Sequence, residues 1–141
     1  MAAYVKYELG IEKMMEAGNA GTDTWQLILS NTAPNVATHT TAASATELST
    51  SGGYTAGGVN CSITSAVSTS GVYKLILAAP ASPTWTASGG GFTFRYVILY
   101  NLSLTQCIGY WDYGSAVVMN GTNADTFTPT LDASGGTFTV S

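Results

Sequence analysis

Apolar residues near the start of the chain recur at spacings of three and four. Tyr4, Tyr7, Ile11, Met14 and Met15 form one stripe, and Val5 and Leu9 share a second line with Glu12. That period predicts an amphipathic helix over 2–17, stopped by Gly18-Asn19. Gly10 falls in its middle, where glycine costs about 1 kcal/mol relative to alanine. After Gly21 the period drops to two. Trp25, Leu27 and Leu29 alternate with Gln26, Ile28 and Ser30, predicting a strand over 24–30 that Asn31 to Pro34 breaks.

Further strands are predicted at 58–66, at 72–78 (ended by Pro80 and Pro83), at 92–101, at 105–112 and at 115–119. The chain closes with Asp125 to Leu131, a turn over 132–136, and Thr137 to Ser141. In 92–101, strict alternation puts Phe92, Phe94, Tyr96, Ile98 and Tyr100 on one face. Both faces are apolar beyond Tyr96, so this strand is expected to be central and covered on both sides. Asn120-Gly121 is a two-residue hairpin signal of type I′, a turn that needs positive φ at both positions. Residues 35–56 carry no period. A loop of that length within a domain is expected to be functional or pinned by a partner.

Strands every 8 to 12 residues between glycine-rich turns indicate a sandwich or barrel. The expected fold is mainly β: an antiparallel, jelly-roll-like β-sandwich over 21–141, preceded by one N-terminal α-helix in a segment over 1–20. At 141 residues, one domain buries enough surface to stand without staples.

Composition sharpens this. Only 9% of residues are charged, four Lys or Arg against eight Asp or Glu, for a net charge of −4, where soluble domains carry about 25%. Apolar content is an ordinary 45%, so the missing charge is replaced by hydroxyls: 21 Thr and 14 Ser. Four scattered cations make no basic patch, which argues against a nucleic-acid partner. No apolar run approaches the roughly 18 residues of a membrane span. Lys6, Glu8, Glu12, Lys13 and Glu16 interrupt the first stripe, so it does not read as a signal peptide. Synthesis in a reducing cytosol is the expectation, with Cys61 and Cys107 as buried thiols.

Catalytic patterns are not expected. The sole imidazole, His39, sits in the aperiodic stretch with no nucleophile elbow or zinc-binding helix nearby. Two cysteines and one histidine fall short of a four-ligand zinc site. Asn120, Asn123 and Asp125 offer too few carboxylates for calcium and read as a turn. The glycine pairs lack the Lys-Ser/Thr of a phosphate loop. Three Asn-x-Ser/Thr sequons, at Asn60, Asn101 and Asn120, are close to the chance number for this composition. Neither a cofactor nor a small-molecule substrate is expected. Tyr110-Trp111-Asp112-Tyr113 is the densest aromatic cluster. Together with Tyr4, Tyr7 and Ile11 of the first stripe, its Tyr110, Trp111 and Tyr113 are the candidate residues for a subunit or partner interface, since aromatics are enriched there. A glycan site is the alternative for the cluster.

The stretches TDTWQLILSNTAPN (22–35), GGYTAGG (52–58), SGVYKLILAAP (70–80), FRYVILYN (94–101) and IGYWDYGSAVVMNG (108–121) resemble, in this order, the small structural proteins of tailed bacteriophages. The resemblance spans nearly the whole chain. It implies a virion component, foremost a capsid decoration or cement protein that binds the major capsid protein as a trimer on the capsid exterior. Residues 1–17 or 35–56 would then reach neighbouring subunits. A neck or tail component is the alternative. Tube subunits of that kind usually carry a long hairpin.

Overall fold

The computed structural model describes residues 2–79 and 82–141. Met1 and the strand stop expected at Pro80 lie outside them. The elements run β1 (Tyr4–Lys6), α1 (Glu8–Ala17), β2 (Trp25–Ser30), β3 (Val59–Thr69), β4 (Val72–Ala78), β5 (Trp85–Thr86), β6 (Phe92–Asn101), β7 (Gln106–Met119), β8 (Thr126–Phe127) and β9 (Phe138–Val140). The fold is mainly β, an antiparallel sandwich-like arrangement with one helix near the N-terminus.

Seven strands make one curled sheet in the order β1-β7-β6-β2-β3-β4-β9, and β5 pairs with β8 in a small second sheet. β3 is the corner. Its residues Val59 to Cys61 pair with β2, while Ser62 to Thr69 pair with β4, and a register shift falls between Ile63 and Ser65. A bulge of that kind bends a strand and lets one sheet fold over on itself. The curl brings the two edge strands together. Lys6 Nζ of β1 donates to the Thr139 carbonyl of β9 at 3.0 Å and sits 5.6 Å from the Phe138 ring centre.

The main core lies inside the fold: Trp25, Leu27 and Leu29 of β2, Val97 and Leu99 of β6, Trp111 of β7, Leu75 and Leu77 of β4, and Phe138. Each such side chain contributes about 1.5–3 kcal/mol by leaving water. A second cluster, Tyr7, Ile28, Ala45, Tyr96, Ile98, Tyr100 and Cys107, occupies the opposite face of β2, β6 and β7. β6 is therefore central and covered on both sides, as its sequence implies.

Part of the cover over this second face comes from the aperiodic stretch, through Ala42 and Ala45. Cys107 N–H donates to Thr40 O, Leu48 N–H to Leu29 O, and Ser30 Oγ to the carbonyls of Ala45 and Thr46. Tyr54, from the same stretch, packs in the main core instead, where its hydroxyl accepts from Leu29 N–H at 3.1 Å and donates to Glu47 Oε1 at 2.6 Å. Residues 35–56 are thus packed onto their own sheet.

Several expectations are corrected. The helix starts at Glu8, because Tyr4–Lys6 pair antiparallel with Gly109–Trp111 of β7. The first segment is therefore an edge strand plus a helix, joined to the sandwich sheet. Phe92 and Phe94 join the main core while Tyr96, Ile98 and Tyr100 face the other way, because the register slips between Phe94 and Tyr96. The two strands expected at 105–112 and 115–119 form one, with the slack taken up near Gly114 at φ +80°. Asn120-Gly121 is not a type I′ turn: neither residue has positive φ, and a turn over 121–124 leads to β8. Two-residue turns with positive φ at both positions occur instead at Ser70-Gly71, between β3 and β4, and at Gly52-Gly53, between the bridged Ser51 and Tyr54. The expected strand over 125–131 shrinks to Thr126–Phe127.

Candidate interaction surface

The six aromatic and apolar residues singled out in the sequence come together in the structure, but largely inside it. Tyr4 lies directly across from Trp111, with ring centres 4.9 Å apart. Its ring extends diagonally over Gly109, where a Cβ would meet the Tyr4 hydroxyl at a distance no real contact allows. Tyr7 is fully buried and meets Tyr110 edge-on at 5.7 Å; Tyr110 in turn meets Tyr96. Tyr113 packs edge-on against Phe94 and Phe127. Ile11 packs against the main core from α1.

Tyr7 and Trp111 therefore present almost no surface to another subunit, a correction to their expected interface role. The physical reason is β1: as a strand it lays Tyr4 against Trp111, and Tyr7, the residue after its end, is buried against Tyr110, whereas a helix would have displayed both along one exposed stripe. Tyr4, Ile11, Tyr110 and Tyr113 remain partly exposed. Burial pushes the Tyr4, Tyr7 and Tyr54 phenols well above their ordinary value. The Tyr4 and Tyr7 hydroxyls have no hydrogen-bond partner among the described residues.

Asp112 is engaged by Arg95. Its carboxylate accepts from Arg95 Nε at 2.8 Å and Nη2 at 2.9 Å, and also from Gly114 N–H. The Arg95 hydrogen bonds, followed by the Gly114 one, hold its carboxyl below the usual range. This exposed pair is placed where β6 and β7 change register.

The most exposed large apolar side chains are Met15, from the first apolar stripe, with Val118 of β7 and Val67 of β3. Met15 is 67% exposed, Val118 68% and Val67 56%. Met15 borders a groove of about 360 Å³ between the end of α1 and β9, lined also by Met14, Ala20, Tyr73, Phe138 and Val140. Val67 lies near the tip of the β3–β4 hairpin, where residues 67–71 are all exposed. Val67 stands in the sequence as an apolar residue among hydroxyls, and β3 reads identically whether a neighbour covers that stretch or not.

The remaining candidates are structural in what they touch. His39 accepts a hydrogen bond from Asn35 N–H at Nδ1. Cys61 and Cys107 are free thiols, each pushed up to about 12 by burial. Asn101 is buried, donating to Asp23 and accepting from Leu104 N–H, so its sequon is closed inside the fold. Among the described residues no three His, Cys, Asp or Glu side chains are grouped to hold a metal ion, and no helix is long and apolar enough to cross a membrane.

Comparison with known proteins finds no matching family model, no matching curated protein and no matching solved structure.

Proposed function

We propose that this chain is a structural protein of a tailed-phage virion, and that it decorates the capsid, bound to the major capsid protein as a trimer and stabilising the shell. The observation that carries the reading is its composition: hydroxyls replace charge, with 35 Ser and Thr against 12 charged residues in the chain. Fastening through hydrogen bonds and apolar contacts leaves little electrostatic binding for salt to screen. Lys and Glu are depleted at interface centres generally. The ordered resemblance of five stretches to small phage structural proteins supports the same reading. Binding only to the assembled lattice would stabilise it by mass action.

One observation favours a second reading, a neck or tail component. The β3–β4 hairpin is long, and its tip is exposed. The glycan-site alternative has less support, since Trp111, the centre of its aromatic platform, is buried.

Quantitative mass spectrometry of purified virions separates the readings. Decoration predicts a copy number in simple proportion to the major capsid protein, as lattice symmetry demands. A few copies per particle would favour the neck or tail, and absence from the particle would sink both.

A further inference from the structure

Asn120-Gly121 is the one Asn-Gly pair in the chain. With no side chain on the following residue, the backbone nitrogen of Gly121 has the least hindered path to the Asn120 side-chain carbonyl. Asn120 is also exposed. Three features of the fold oppose that path. Asn120 Oδ1 is held by the N–H groups of Thr122 at 2.9 Å and Asn123 at 3.4 Å. The Asn120 backbone is clamped at both ends by Asp125: its N–H donates to Asp125 Oδ2 at 2.8 Å, and its carbonyl accepts from Asp125 N–H at 3.1 Å. Gly121 is pressed flat on the 88–89 backbone, so closely that a Cβ there would overlap Ser88 and Gly89.

We infer that Asn120 is a deamidation site that the native turn holds closed, and that its conversion proceeds through local opening of 119–125. In the reaction the Gly121 nitrogen, having given its proton to solvent base, bonds to Asn120 Cγ. The Cγ–Nδ2 bond breaks and the nitrogen leaves as ammonia, protonated by water. Water then opens the succinimide at either carbonyl, giving aspartate or isoaspartate. Swinging the 120–121 peptide toward Cγ breaks the Asp125 N–H bond and lifts Gly121 from Ser88 and Gly89, so closed turns do not react. The isoaspartate product carries one extra backbone carbon, which the close fit against 88–91 does not accommodate.

The test is peptide mapping by mass spectrometry after incubation at mildly alkaline pH, comparing native with urea-unfolded protein. Conversion at Asn120 is expected to be at least about tenfold slower in the native protein, the mark of a site gated by local opening. Asp125→Ala, checked by circular dichroism to be folded, removes the carboxylate clamp and is expected to raise the native rate toward the unfolded one. Equal rates in native and unfolded wild-type protein would overturn the inference. So would a folded Asp125→Ala protein that converts no faster than wild type. Should Asp125→Ala fail to fold, Asn123→Ala, which leaves the clamp in place, must stay as slow as wild type.

Discussion

Two glycines show how a single missing Cβ is used. Gly10 looks like a defect in the helical stripe, yet a Cβ there would overlap the Cys107 carbonyl. The helix gives up about 1 kcal/mol of propensity to lie directly on β7. Gly109 plays the same part for Tyr4. Gly109→Ala is therefore expected to lift the Tyr4 ring from β7 and lower stability by about 1–3 kcal/mol, as overpacking does, read from urea unfolding. The two thiols make a pH prediction. An unfolded thiol ionises near 9.0, while burial pushes Cys61 and Cys107 up to about 12. Between those values the native state keeps protons that the unfolded chain releases, so stability falls as pH rises through that window. Replacing both cysteines with alanine should flatten part of that fall, leaving the share due to the buried phenols. Unfolding midpoints measured across the window check it.

Elements were decided by partners as much as by their own residues. Tyr4–Lys6 carry a helical spacing but pair with β7, because an edge strand there buries Tyr4 and Trp111 against each other. Nonlocal burial outweighs a propensity difference of tenths of a kcal/mol per residue. The hairpin signal failed similarly: Asn120-Gly121 suits a type I′ turn, but Met119 and Gly121 lie on the 88–91 backbone and the chain turns out to meet β5. The packing of 35–56 onto its sheet depends on Tyr54, a main-core residue whose hydroxyl serves both Leu29 and Glu47. Tyr54→Phe leaves the Leu29 N–H without that acceptor and should cost about 1–3 kcal/mol. Hydrogen exchange is expected to quicken first at Leu29 and Gly57, the amides this network holds. Unchanged exchange at both would mean the cover is held by its other contacts.

At the scale of the whole molecule, the curled sheet leaves β1 and β9 as facing edges bridged by Lys6 and Thr139. β1 is only three residues long, and it covers Trp111. Deleting residues 2–6 should expose that indole, shift tryptophan emission to the red and lower the unfolding midpoint. A deletion variant with native emission would show that β1 is dispensable to the core. The sequence by itself determined the class of fold, the positions of β2, β4 and β6 to within a residue or two, and the two-sided burial of β6. Those features follow from side-chain alternation and turn chemistry, which act between residues close in the chain. It also placed the aromatic residues that meet along β1 and β7, without their orientation. The tertiary structure alone decided that 35–56 covers its own sheet, that β1 is a strand, which faces Phe94 and Tyr96 take, and which apolar residues stay outside. Each of these depends on contacts between segments far apart in the chain. A bulge of one residue reverses every side chain beyond it, and no local period records where a distant strand makes the chain slip.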